Sequence, residues 1–356
     1  MTEFTIEELA IPRRIGDAAW EDFAAGIEAR NAAEVRGFGT PEVAYPPEEL
    51  HIHWLDPHEP KRWWGARVDG RIVARAVLEW SVDVEEPVAW VDVRVHPGHE
   101  GRGIGGALAH AVEEAAIGQG FVRMLTYAAS APAEGEQLVP PTGAGSVPRG
   151  NREVRFLLDR GWRLEQVTRA SRYALPADTA DLEARRAAAA ARAAAYRVHV
   201  WWGPTPERFL EDQAHLYTRM STEEPTAGLE QPEDHWDVDR VREHDARHAD
   251  SPRAILTAAA EHLESGRLGA FTSLSVPHDV SRPVTQEDTL VLPEHRGRRL
   301  GMLLKVENLL ELEHTAPGHP SVLTWNAEEN RPMLDVNEAV GFVPIGYEGA
   351  WRKDLV

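Results

Sequence analysis

One glycine- and arginine-rich loop occurs twice in this chain, each time between a strand pattern and a helix pattern. The first copy reads Val95-His96-Pro97-Gly98-His99-Glu100-Gly101-Arg102-Gly103-Ile104-Gly105-Gly106, and the second reads Val291-Leu292-Pro293-Glu294-His295-Arg296-Gly297-Arg298-Arg299-Leu300-Gly301-Met302. Setting Pro97 on Pro293 gives an offset of 293 − 97 = 196, and without a gap His99 meets His295, Arg102 meets Arg298 and Gly105 meets Gly301. Such a loop gathers backbone N–H groups beside the positive end of a helix dipole, which is a site for a phosphate-bearing ligand. Two copies in matching contexts constrain the fold to a duplicated ligand-binding unit.

The 356 residues give room for two domains of roughly 170–180 each. Hydrophobic content of 42% and charged content of 27% are those of a folded, soluble protein. There is no cysteine, which excludes disulfides, thiolate zinc sites and cysteine nucleophiles, and no metal site is expected. No apolar run approaches the ~20 residues of a membrane helix, and a signal-peptide core is lacking, so the expected location is cytoplasmic with no membrane partner. A formal charge of −20 argues against nucleic-acid binding and favours small cationic amines as partners.

Along the chain, a strand over 4–9 and a helix over 17–33 precede a Pro-rich, His- and Trp-bearing segment over 41–62. Strands over 64–68 and 72–80 flank Asp69-Gly70, a hairpin signal, and a strand over 89–95 enters the first glycine loop. A helix over 104–117, a strand over 122–128, a Pro/Gly-rich loop over 134–150, a helix over 151–160 closed by Gly161-Trp162, and a strand to about 175 complete the first half. The Ala/Arg-rich stretch 178–195 reads as a linker helix. The second half repeats the order, and its Gly341-Phe342 follows Gly161-Trp162 by 341 − 161 = 180.

This order resembles the GCN5-related N-acetyltransferase (GNAT) family, in two copies over nearly the whole chain. The resemblance implies a mixed α+β fold: a mostly antiparallel sheet flanked by helices, in two tandem domains (1–177 and 196–356) joined by the helix over 178–195. It also implies that the loop amides hold the pyrophosphate of acetyl-coenzyme A. The family pattern is Arg or Gln, two residues, Gly, one residue, then Gly or Ala. In the first copy Gly103 and Gly105 fit, with Glu100 where Arg or Gln is usual; in the second Arg296 and Gly301 fit, with Arg299 in place of a glycine. The cofactor contacts implied are Glu100, Gly101, Arg102, Gly103, Ile104, Gly105 and Gly106 in one copy and Arg296, Gly297, Arg298, Arg299, Leu300 and Gly301 in the other. Strand positions Val93, Val95, Leu290 and Leu292 would offer backbone N–H groups to the thioester. Asn151 and Asn330 are the surviving helix-start asparagines, and Asn326, in a polar strand exit, is either a cofactor contact or a turn asparagine.

A tyrosine four residues before Gly-Phe often protonates the departing thiolate in this family. Here those positions hold Leu157 and Asn337. Asn337 can hydrogen-bond but cannot donate a proton at neutral pH, which leaves Tyr127 or a water as acid. Asp92 and Asp288 each lie five residues before the loop proline, 97 − 92 = 293 − 288 = 5. They are candidate bases, or else solvated strand residues, and Glu79 is an alternative base. His51 and His53, at strand-like spacing, lack a third metal ligand, and tryptophans before Trp64 wall a pocket or pack a core. Two functions fit: acetyl transfer from acetyl-coenzyme A to a small-molecule primary amine by direct attack, or acyl-coenzyme A binding with one or both domains non-catalytic as scaffold or sensor. The Lys of a Walker loop and the Gly-x-Gly-x-x-Gly fingerprint are both missing. Either a monomer or a homodimer fits, since fused domains can pair within one chain.

Overall fold

The computed structural model describes residues 3–84, 88–249 and 251–355, so the outermost residues of both expected domains lie outside the described part. The first half runs β1 (Thr5–Leu9), α1 (Trp20–Phe38), α2 (Pro47–Trp54), β2 (Lys61–Val68), β3 (Arg71–Glu79), β4 (Ala89–Val95), α3 (Ile104–Gly118), β5 (Arg123–Ser130), a small ribbon of β6 (Gln137–Leu138) and β7 (Val147–Pro148), α4 (Arg152–Leu158) and β8 (Arg163–Ala174). After α5 (Thr179–Ala190) come β9 (Tyr196–Trp202), α6 (Leu210–Glu223), α7 (Val238–Ala249), β10 (Arg253–His262), β11 (Leu268–Pro277), β12 (Val284–Val291), α8 (Leu300–Thr315), β13 (Ser321–Ala327), α9 (Arg331–Val340) and β14 (Val343–Asp354).

Local chemistry accounts for the boundaries. The β2–β3 hairpin turns on Asp69 and Gly70, both at positive φ (48° and 80°), as a two-residue turn requires. The expected linker helix forms, with the Asp178 carboxylate accepting from the N–H groups of Ala180 and Asp181 at 3.1 Å each. Its Leu182 and Ala189 are buried, and it packs on α8. One reading changes: within 41–62 the chain forms α2, opened by Pro47 with Glu48 and Glu49 in its first turn. His51 and His53 therefore sit on a helix, where residues two apart do not share a face.

The sheet is continuous across both halves. Its order is β1-β2-β3-β4-β5-β14-β8-β13-β12-β11-β10-β9, with twelve strands. The last strand of each half has crossed to the other: β14 pairs with β5, β8 pairs with β13, and the two pair with each other antiparallel at the centre. Their bounds differ by 343 − 163 = 180 and 354 − 174 = 180, so the exchange is reciprocal. Trp351 of β14 is fully buried in the core formed by Trp64, Leu78, Leu108 and Met124 of the first half.

Inside each half two parallel strands touch at one end and part at the other. β4 pairs with β5 only through Ala89 and Trp90, opposite Met124 and Leu125. β12 pairs with β13 only through Val284 and Thr285, opposite Val322 and Leu323. Each splay opens toward the glycine loop that follows β4 or β12. Among the described residues no helix is long and apolar enough to cross a membrane.

Candidate functional site

The two loops match down to side-chain bonds. Arg102 donates to the Gly98 carbonyl at 3.2 Å, and Arg298 donates to the Glu294 carbonyl, its counterpart, at 2.8 Å. Gly101 and Gly297 have φ of 73° and 79°, while Gly103 and Arg299 have φ of 87° and 58°. The left-handed backbone survives the replacement of glycine by Arg299, at about 1–2 kcal/mol of steric cost. Among the described residues the N–H groups of Gly297 through Met302 have no protein acceptor. A Cβ at Gly297 would meet nothing within 4 Å, and one at Gly301 only Val291, at 3.9 Å. Open space thus lies in front of a run of free donors at a helix start.

Behind the second loop lies a cleft of about 1260 Å³ reaching into the β12–β13 splay. Arg299 and Leu300 line its mouth, and the exposed Arg299 guanidinium makes no hydrogen bond or ion pair among the described residues. Arg296 is engaged, donating to the Val291 carbonyl at 3.0 Å and to Glu223 at 2.7 Å. Leu290 lines the cleft, whereas the Leu292 N–H is already bound to the Gly269 carbonyl at 3.0 Å. Asn326 and Asn330 also line it. Asn326 accepts from Asn337 at 2.7 Å, and Asn330 caps α9 by accepting from the Met333 N–H at 3.4 Å. Asn337 is buried and its Oδ1 lacks a partner.

Three carboxylates line the wall of this cleft with no hydrogen bond or ion pair among the described residues: Glu224, Glu287 and Asp288. Burial, and then the neighbouring Asp288, pushes Glu224 up to about 7. Burial and Asp288 push Glu287 up to about 7 against Arg253, and burial raises Asp288 despite His244. Glu224 and Glu287 nonetheless stay open to cleft water. Such groups gain by meeting a cation.

The first cleft, of about 710 Å³, is lined by Val93, Val95, Gly101, Gly103, Ile104, Gly105 and Gly106, and most of its charged side chains pair within the protein, whereas Arg160 donates to the Phe156 carbonyl at 3.3 Å. Glu100 accepts from Arg36 at 2.6 Å and from Arg152 at 2.7 Å. Arg94 crosses the β4–β5 splay, donating to the Tyr127 carbonyl at 2.8 Å and to Glu34 at 2.8 Å. Asp92 lies 2.5 Å from Arg75 and 2.9 Å from Arg94. Burial alone would raise Asp92, yet Arg94 and Arg75 hold it down at about 2. Asn151 donates to Ser130 Oγ at 2.9 Å and to the Ala131 carbonyl at 2.7 Å.

Between the clefts a chamber of about 570 Å³ collects Glu79, Asp92 and Tyr127 from the first half and Glu287 from the second. Glu79 is pushed up to about 7 by burial although Lys61 stands 3.3 Å away. Tyr127 stacks on Trp90, centroids 5.5 Å apart at 9°, and burial raises its hydroxyl well above the usual range, a poor donor at neutral pH. The structure thus separates the two aspartates: Asp92 is neutralised in the chamber, and Asp288 stands with Glu224 and Glu287 in the second cleft.

Residues 27–135 match the acetyltransferase (GNAT) family. The whole chain superposes on a tandem GNAT protein from the clavulanic acid biosynthesis pathway with TM-score 0.72 and 23% identity, covering 99% of this chain and 98% of that one. The chain is a tandem GNAT-fold protein. Two further GNAT-fold structures are similar. A GCN5-related N-acetyltransferase from Sphaerobacter thermophilus has TM-score 0.59 and 15% identity, over 99% of this chain and 95% of that one. The glucosamine N-acetyltransferase region of a fungal multi-domain GH3 β-N-acetylglucosaminidase has TM-score 0.61 and 15% identity, over 99% of this chain but 38% of that one. No curated protein matches by sequence.

In this tandem GNAT-fold protein several site residues escape sequence reasoning. Glu287 stands at 91 + 196, where the first copy has Val91, so comparing copies hides it. Glu224 follows α6 in no motif. His51 accepts no metal role: its Nε2 lies 2.7 Å from the Pro12 carbonyl, and its ring packs on Trp20 and Phe23. His53 faces His248 at 5.8 Å, and among the described residues no group of three or more His, Asp or Glu is placed to hold a metal. Trp54 and Trp63 are buried with Phe23, so they pack a core.

Proposed function

We propose that this protein is an N-acetyltransferase acting on a small cationic amine, and that its second half is where acyl donor and amine meet. The observation that carries the reading is the second cleft itself: among the described residues, loop N–H groups and an Arg299 without partners at one end, and three unpaired carboxylates at the other. One end suits the pyrophosphate of coenzyme A, the other an ammonium. Bound acetyl-coenzyme A would supply the activated thioester carbonyl. Gly297, Arg299 and Gly301 would hold its phosphates, and the β12–β13 splay would hold its arm. Glu224, Glu287 and Asp288 then orient the ammonium and accept its proton, leaving the neutral nitrogen to attack by proximity.

The first half supports a non-catalytic role, since Glu100 already takes Arg36 and Arg152, and Arg94 fills the splay. Thiol release measured across a panel of amines tests the reading. Turnover by the intact chain that is lost in Asp288→Asn supports it. Tight acetyl-coenzyme A binding with no turnover on any amine leaves the binding-only function instead.

A further inference from the structure

The chain contains three lysines, Lys61, Lys305 and Lys353. Lys61 lies 3.3 Å from Glu79, and Lys353 lies 2.6 Å from Glu113. Lys305 differs. It is 2% exposed on α8, belongs to the wall of the second cleft, and makes no hydrogen bond or ion pair among the described residues. Its one contact of note is the Phe342 ring, 6.0 Å from Nζ. An unpaired ammonium in a buried site is costly unless a ligand compensates it. In a chain with 58 acidic residues, its lack of a partner points to a task.

The repeat shows where that task lies. Lys305 stands at 109 + 196, where the first half has Ala109. Ala109, Val93 and Leu157 line one cavity of about 70 Å³ at the inner end of the first cleft. The second-half counterparts of these three are Lys305, Thr289 (93 + 196) and Asn337 (157 + 180). The counterparts of one first-half cavity are thus Lys305 and Thr289, which both line the second cleft, and Asn337, at the position that would carry an acid.

We propose that Lys305 is the proton donor to the sulfur leaving the acyl thioester in the second half. This rests on the acyltransferase reading. The amine nitrogen forms a bond to the thioester carbonyl carbon, the carbon–sulfur bond breaks with its electron pair on sulfur, and the Lys305 ammonium passes one proton to that sulfur. The substrate ammonium loses two protons in becoming an amide; a cleft carboxylate takes one, and the other recharges Lys305, so one proton is released per turnover. Burial alone lowers Lys305 to about 7, below the range of an ordinary thiol, so transfer to a thiolate is downhill. Charged groups on neighbouring walls are Asp181 and Arg185 of α5, Glu223 of α6, Asp335 of α9, Glu224, Glu287 and Asp288 of β12, Arg296, Arg299 and Glu329, and among the described residues none pairs with Lys305.

Three lysines make a direct titration feasible by NMR of lysine-labelled full-length protein, with Lys305→Met assigning the signal. A midpoint near 7 is expected; an ordinary lysine midpoint near 10 overturns the proposal. For thiol release, Lys305→Met should lower kcat by about 100-fold or more, leave acetyl-coenzyme A affinity unchanged by calorimetry, and lose the high-pH fall of the rate. An acyl donor whose thiol is more acidic should restore much of that rate, which a merely packing role would not allow. Full activity in Lys305→Met, or an acetyl mass gain on Lys305 that turns over, contradicts the role as acid. If the intact chain has no turnover, the acyltransferase reading fails first, and the titration still reports on Lys305.

Discussion

Arg94 lies across the gap between β4 and β5 and donates to the Tyr127 carbonyl at 2.8 Å. The corresponding gap between β12 and β13 has Leu290 at the position of Arg94 (94 + 196) and stays open. One side chain thus bridges the gap in the first copy and leaves it unbridged in the second.

Replacing Arg94 by Met should destabilise the protein by about 3 kcal/mol at neutral pH, because the buried Glu34 and the partly buried Asp92 are left with one cation fewer. Asp92 has its folded pKa depressed, from 3.8 to about 2, so its contribution is full above 3.8 and is lost as pH falls toward 2. Urea unfolding at pH 7 and at acid pH should show the gap between wild type and Arg94→Met narrowing on acidification.

Arg299 combines a left-handed backbone with a free guanidinium at the mouth of the second cleft. Arg299→Gly should relieve about 1 kcal/mol of strain and raise the thermal midpoint, while weakening acetyl-coenzyme A binding by removal of the cation. Calorimetry and thermal melts on one sample check both signs. A variant that is neither more stable nor weaker in binding would remove Arg299 from the site.

The exchange of β8 and β14 makes each half depend on the other. Trp351→Ala, at the far end of the chain, should cost about 3–5 kcal/mol and loosen the first-half core around Trp64 and Leu108. Hydrogen exchange should report lost protection in β2, β3 and β5. The separate pieces 1–177 and 196–356 should fold poorly alone and recover structure when mixed.

Lys305 leaves a signature in stability as well. Its folded pKa is lowered to about 7 from 10.5, so the unfolded chain binds the extra proton between those values and stability rises with pH across that window. Lys305→Met has no such slope. It should be more stable than wild type at pH 7 and below, with the difference shrinking toward pH 10.

Much of this architecture is legible in the sequence because it rests on short-range chemistry. Asp69-Gly70 announces a hairpin, Asp178 starts a helix, and the two glycine loops mark equal strand–helix junctions. The offset of 180 between Gly161 and Gly341 even matches the two exchanged strands. Their exchange is invisible, since β8 and β14 have the same alternation whichever neighbour they take. The site is harder still. Asp92 and Asp288 are equivalent in register, and only their surroundings, two arginines against two carboxylates, make one a neutralised strut and give the other a raised carboxyl open to a proposed role as base. Lys305 is one polar residue in a leucine-rich helix, and its solitude is a property of the packing.

The most direct test of the assignment of chemistry to the second half is thiol release with Gly301→Pro beside Gly105→Pro. Both positions are the second residue of a helix, where proline removes one loop N–H and is compatible with the first turn. With folding checked by circular dichroism, Gly301→Pro is expected to abolish turnover and Gly105→Pro to keep most of it. Turnover that survives Gly301→Pro and disappears in Gly105→Pro would contradict the assignment.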